Sequence, residues 1–268
     1  MRKKRTTEKG VRMLLTGRAG FTLVELLMAL LISSFVGAAI FLAYRTQSRT
    51  QNAQEQLVEL QENVRAAMVT ITSEVRMAGF DPTGEAGAGI VKAQPGLLQF
   101  TLNRKYKTAS GADDTTLDED LTYCIAAKYD PNRVGVVTAY PPDAPPPALA
   151  RESGAGGGPQ PVANNIEALE FMYLIDDRWY VDPAHAGKNL ARIKAVTVSL
   201  LMRAPFPDPD FNGDMDTLLP ASKLSTFKVH DKNNEWTKYV NKIKADKRQG
   251  HYRRRVAIAT IQLRNMNL

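Results

Sequence analysis

The chain has 268 residues, 44% of them hydrophobic and 24% charged, with a net charge of +7 and a single cysteine. That length allows one or two domains with a buried core, and one cysteine excludes an intramolecular disulfide. The pI of about 9.4 points to nucleic acid only until the charges are located. Seven cations and one anion, Glu8, lie in the first 20 residues, so that segment carries six of the seven net positive charges and global basicity is not a binding footprint.

After this basic segment, Phe21 to Tyr44 is a run of 24 residues with one charge, Glu25. A helix of that length reaches roughly 36 Å, enough to cross the ~30 Å hydrocarbon core of a bilayer. The cations before it keep the N-terminus cytoplasmic and place the long remainder across the membrane. A carboxylate in such a helix costs roughly 2.5–3.5 kcal/mol near the bilayer centre, so Glu25 needs a partner. A secretory signal peptide cut near Gly37-Ala38-Ala39 is the competing reading of this run. N-terminal sequencing separates a chain starting at Phe21 from one starting near Ala39.

The helical signal continues through the polar stretch Arg45 to Gln56, which lacks Gly and Pro. Apolar residues then recur at Leu57, Leu60, Val64, Met68, Ile71, Val75 and Ala78, in steps of three and four that mark one helical face. Gly79 and Pro82 form a stop signal. The spacing predicts one helix from Phe21 to about Ala78, ~87 Å long at the standard rise. Its first half, 21–44, is apolar all round. Its second half, 45–79, is amphipathic and is expected to lay its stripe on a globular domain, 80–268, with a coiled-coil dimer as the rival.

Beyond Gly79 the period becomes two. Predicted strands are Leu97–Leu102, Leu121–Ala126, Arg133–Thr138, Glu170–Ile175, Ile193–Met202 and Arg255–Leu263, with a helical turn over Asn164–Leu169. In the fifth, Val196, Val198, Leu200 and Met202 share a face while Thr197, Ser199 and Arg203 point away, as in a half-buried antiparallel strand. Cys124 falls in the second strand and reads as a small buried hydrophobe. Residues 141–161 read as an exposed irregular loop and 205–252 as a second long connection. One long N-terminal helix followed by an antiparallel sheet is an α+β fold.

The junction Gly20-Phe21-Thr22-Leu23-Val24-Glu25, behind a basic leader, resembles the processing site of type IV prepilins. Leu60-Gln61-Glu62-Asn63, Glu74 to Phe80, Ile166 to Phe171 and Tyr252 to Val256 with Leu263-Arg264-Asn265 resemble the PilW-type minor pilins. The J-type pseudopilins of type II secretion are similar in architecture. The resemblance implies a type IV pilin-like fold, a leader of residues 1–20 removed by a prepilin peptidase after Gly20, and N-methylation of Phe21. It implies that Glu25 pairs with the terminal amine of a neighbouring subunit and guides assembly with other minor pilins and the major pilin, from the inner membrane to a surface filament. Major pilins often close a C-terminal loop with a disulfide, which this chain cannot do, so a minor component is implied. Many also carry a proline beyond the middle of the membrane segment, and none occurs between Phe21 and Phe80 here.

Two further patterns stand out. Asp208, Asp210, Asn212, Asp214 and Asp216 alternate around Gly213 with the spacing of the first half of a calcium loop, although Leu219 stands where the bidentate Glu belongs. Asp, Asn and Gly favour a solvated acidic turn equally well. Asp113, Asp114, Asp118, Glu119 and Asp120 form another acidic run, read as a loop before a strand. Residues 223–255 carry a net +8 with Trp236, Tyr239 and Tyr252 interleaved. The simpler reading is a solvated loop whose Arg253–Arg255 run pairs with acidic neighbours, and nucleic acid is not the expected partner. His185, His230 and His251 are isolated and no phosphate loop follows a strand, so no catalytic residue is assigned and the chain is not expected to be an enzyme.

Overall fold

The computed structural model describes residues 20–105, 119–126, 147–154, 158–231 and 234–266. The chain divides into two compact units, Met1–Gln51 and Asn52–Leu268. Helix α1 runs from Leu23 to Val75.

In the first unit α1 is apolar on every side as far as Tyr44, apart from Glu25. Leu27 is 57% exposed and Phe35 69%. It is the one described helix long and apolar enough to cross a membrane.

The second unit begins with the amphipathic part of α1. Leu60, Ala67, Ile71 and Val75 are buried in the main core, with Val64 and Met68 packed against it. The predicted stripe therefore packs within its own unit, except Leu57, which is 38% exposed. The helix ends three residues before the predicted Ala78. The chain then turns through Gly79, whose φ of 74° is a conformation that suits glycine. A Cβ there would meet the Met266 sulfur at 2.7 Å.

Nine strands follow among the described residues, in two antiparallel sheets. β1 (Ile90–Gln94), β2 (Leu97–Leu102), β3 (Glu119–Ile125), β4 (Leu149–Ser153) and β5 (Gln160–Ala163) lie side by side in chain order. β6 (Ile166–Ile175), β7 (Arg178–Tyr180), β8 (Ala195–Arg203) and β9 (Arg254–Gln262) form the second sheet in the order β7-β6-β8-β9. β8 and β9 pair without interruption from Ala195↔Gln262 to Arg203↔Arg254. Both sheets contribute to the core that α1 enters: Leu98, Phe100, Leu121 and Tyr123 from one, Phe171, Val196, Val198 and Ile261 from the other. Tyr173 also ties the second sheet to the first hairpin, its hydroxyl donating to the carbonyls of Gln94 at 2.9 Å and Leu97 at 3.2 Å.

The α+β expectation holds, with two sheets in place of one. Several local expectations need correction. Asn164–Leu169 is not a helical turn: Asn165 takes a positive φ of 62°, and β6 starts at Ile166. The stretch 141–161 is not irregular throughout, because β4 and most of β5 fall in or beside it and Leu149 and Ala150 are buried. Pro161 is accommodated because β5 is a sheet edge, where a missing N–H breaks no ladder. The connection 205–252 contains helix α2 (Glu235–Ala245) and the 3-10 turns Ala221–Lys223 and Lys247–His251. It packs on the second sheet: Trp236, Tyr239, Val240 and Ile243 of α2 cluster with Ala168 and Leu201. Thr197, Ser199 and Arg203 therefore face protein rather than water, and all three are buried. The strand predicted at Arg133–Thr138 lies outside the described residues.

Cutting Ile71 back to Ala removes a fully buried side chain from the shared core. A loss of about 2–5 kcal/mol is expected for Ile71→Ala, against about 0.5 kcal/mol or less for the exposed Leu57→Ala. Urea titration of the full chain in detergent micelles checks both. Equal losses would mean the stripe does not pack as described.

Candidate functional site

Thr22 precedes the first helical residue, Leu23, and Glu25 is the third residue of the helix. The Thr22 backbone N–H and its hydroxyl both donate to Glu25 Oε2 at 2.9 Å. In return the Glu25 N–H donates to Thr22 Oγ1 at 3.2 Å. This is a reciprocal capping box, in which two helix-end donors are satisfied and a carboxylate sits at the positive end of the helix dipole. The T-x-x-E spacing is legible in the sequence as a helix start. Among the described residues Glu25 Oε1 accepts no hydrogen bond. Gly20 and Phe21 lie outside the helix and are exposed. A Cβ at Gly20 would meet nothing within 4 Å. Packing among the described residues therefore places no demand for glycine there.

A second constellation fixes the end of α1 within its unit. Glu74 Oε2 accepts from the Tyr123 hydroxyl at 2.6 Å and from Arg151 Nε at 2.8 Å. Tyr123 lies on β3 and Arg151 on β4, so the carboxylate bonds two strands to the last turn of the helix. Burial, together with the adjacent carboxylate, pushes the Tyr123 hydroxyl well above its ordinary pKa. The hydrogen bond to Glu74 raises that of Arg151. Both groups thus hold their protons through any physiological pH.

The residues proposed for calcium are engaged within the chain. Asp208 accepts from Arg253 Nη2 at 2.8 Å, and Asp216 from Lys244 Nζ at 2.6 Å. Asp208 also accepts the Asp210 N–H, and Asp214 that of Asp216. Asn212 lies against Gly250. Among the described residues no group of three or more His, Cys, Asp or Glu is gathered as a metal site requires. In the other acidic run, Glu119 pairs with Arg104 at 2.8 Å and Asp120 accepts from Gln99 at 2.9 Å. Asp113, Asp114 and Asp118 lie outside the described residues.

The interleaved aromatics of 223–255 are not a stacking platform, since Trp236, Tyr239 and Tyr252 are all buried. Many of the cations there are engaged internally. Arg254 holds Glu167 through two bonds, Nε to Oε2 at 2.7 Å and Nη2 to Oε1 at 3.0 Å. Arg203 lies 3.6 Å from the same carboxylate and 4.1 Å over the Tyr252 ring. The predicted pairing of the Arg253–Arg255 run with acidic partners is thus realised by Asp208 and Glu167. Cys124 packs with Leu97 and Ala150, a buried small side chain as expected.

Residues 15–41 match the prokaryotic N-terminal methylation motif, which contains Gly20, Phe21, Thr22 and Glu25. The motif opens a long N-terminal helix that leads into antiparallel sheets, the arrangement of a type IV pilin-like fold. The chain is also similar to a solved type IV-like pilin from Thermus thermophilus, with 14% identity and a TM-score of 0.42, over 77% of this chain and 96% of that one. No curated protein matches at a significant level.

Calcium entering the Asp208–Asp216 loop would have to displace two cations. The double substitution Arg253→Met with Lys244→Met is therefore expected to raise the calorimetric heat on adding millimolar calcium above that of the unaltered chain. Equal heats, including none in either, would sink this competition.

Proposed function

We propose that this chain is a minor pilin of the PilW type, processed after Gly20, N-methylated at Phe21 and assembled with other minor pilins and the major pilin. In this reading it starts in the inner membrane with a cytoplasmic leader and ends at the base or tip of a surface filament, which it primes or caps. The observation that carries it is Glu25, a carboxylate in the first turn of a membrane-length apolar helix inside a methylation motif. An anchor alone has no use for it.

The capping box gives this a mechanism. In the precursor, Thr22 satisfies Glu25 Oε2 within the chain, which lowers the cost of carrying the charge into lipid. Oε1 remains as an acceptor for a cation. Cleavage between Gly20 and Phe21 creates such a cation, the Phe21 amine, at a helix start. In a medium of low dielectric the attraction between one subunit's amine and the next subunit's Oε1 is strong, and the hydrogen bond it carries is directional enough to set register. Among the described residues a Cβ at Gly20 would meet nothing within 4 Å, so its selection is read as a requirement of the peptidase that must reach the bond. No catalytic role is assigned to any residue.

A J-type pseudopilin of a secretion system fits the same features, and a single-pass anchored adhesin is the reading from a different class. Glu25→Ala separates the assembly readings from the anchor. Insertion, cleavage and N-methylation are expected to persist, measured by fractionation and by mass of the N-terminal peptide, while filament incorporation and co-purification of partner pilins are lost. Unchanged incorporation would refute assembly. Loss of cleavage as well would move the role of Glu25 to processing.

A further inference from the structure

Beneath the 3-10 turn Ala221–Lys223 lies a carboxylate that the assembly reading does not use. Glu170 is on β6, between Ala168 and Met172, on the face of the second sheet that the 205–252 segment covers. It is 1% exposed. Its Oε1 accepts one long bond, 3.4 Å, from the Ser222 N–H. Its Oε2 is buried without a hydrogen-bond partner, and so is the Ser222 hydroxyl oxygen. Opposite it on β8 is Ser199, whose hydroxyl accepts the Ala221 N–H at 3.0 Å and anchors the turn directly over the carboxylate.

The charged groups around Glu170 do not neutralise it. Lys223, on the turn, attracts it and Asp231, ahead of α2, repels it. The Lys223 ammonium is bonded to Asn234 at 2.9 Å. The Asp231 carboxylate accepts the N–H groups of Val181 and Asp182 at 2.6 and 2.7 Å. β8 contributes hydroxyls, Ser199 and Thr197, the latter bonded to Thr260 of β9 at 2.8 Å. Three residues away, Glu167 is equally buried yet receives two Arg254 nitrogens. An ionised carboxylate buried with one weak donor is costly, and protonation removes the cost while adding a donor.

We propose that Glu170 is a proton-operated catch. In its neutral form it lets the turn Ala221–Lys223 seat on the sheet, and in its ionised form it lifts that turn, admits water and loosens the segment between β8 and β9. Burial pushes its pKa from 4.5 up to about 7, against the opposing pull of Ser222 and Lys223. The folded form therefore binds this proton more tightly than the unfolded chain. Its hold on the segment is complete below the unfolded value and falls as pH rises to about 7, beyond which the loss is full. The catch thus operates between about pH 4.5 and about 7, and does not depend on which filament, if any, the chain enters.

Hydrogen exchange on the full chain in micelles tests it, comparing the unaltered protein with Glu170→Gln at the same pH so that intrinsic exchange cancels. At about pH 5 the amides of Ala221, Lys223 and Leu224 are expected to be equally protected in both. At about pH 8 they are expected to exchange about tenfold or more faster in the unaltered protein, since each unit of displaced pKa is a factor of ten. Equal protection at both pH values, or an excess that does not change with pH, overturns the proposal. If Glu170→Gln does not fold, the carboxyl carbon resonance of Glu170 in the unaltered protein decides: a midpoint between about 6 and 8 supports the catch, and one below about 5 removes it.

Discussion

A helix offers a buried side chain every three or four residues, and in the second unit Leu60, Ala67, Ile71 and Val75 are where both sheets meet. Each sheet turns an apolar face toward that stripe. The Glu74 carboxylate completes this arrangement, accepting hydrogen bonds from Tyr123 and Arg151 at the point where the helix stops. Apolar burial supplies the non-directional part of the attraction. The clamp supplies direction, holding the last helical turn to β3 and β4 at one register.

The opposite face of the second sheet follows a different logic. There the covering layer is the 205–252 segment, and the surface it meets is mixed: Thr197, Ser199, Arg203, Glu167 and Glu170 beside Ala168, Met172 and Leu201. Every polar group in such a layer needs a partner or imposes a cost. Thr197 has Thr260, Ser199 has the Ala221 N–H, and Glu167 has Arg254. Glu170 has only a long bond. One strand thus carries two buried carboxylates, one ionically satisfied and one held largely by its proton, and this difference separates a fixed part of the layer from an adjustable part.

Long periodic segments were legible in the sequence. The helix stripe, β2, β8 and β9 emerged nearly at their observed bounds because their periods are carried by many residues. The Thr22–Glu25 capping box is also written there, in the T-x-x-E spacing that precedes the apolar run. In α2, Trp236, Tyr239, Val240 and Ile243 stand at steps of three, one and three, an apolar helical face obscured by the surrounding lysines. β4 and β5 were masked by their Pro- and Gly-rich neighbourhood. What could not be read was nonlocal. The alternation in β8 suggested a wet face, and only the fold-back of a segment later in the chain dries it. Likewise Arg254 finds Glu167 across 87 positions, a pairing that no local pattern encodes. Of the candidate site, the residue types were legible and their hydrogen-bond partners were not.

The contact between Gly79 and Met266 has a consequence for biogenesis. The turn that ends the long helix is closed by a side chain near the far end of the sequence, and β9, just before it, inserts Ile261 into the shared core. Closing so large a loop is entropically slow and is rewarded only when the last strand docks. Until then the helix stripe and the inner faces of both sheets are wet. In the proposed membrane-anchored precursor the helix would form first and the remainder would still be open, a window in which chaperones and proteases compete with folding. Completion of the globular part becomes a late event, timed by delivery of β9 and Met266 rather than by the helix that begins it.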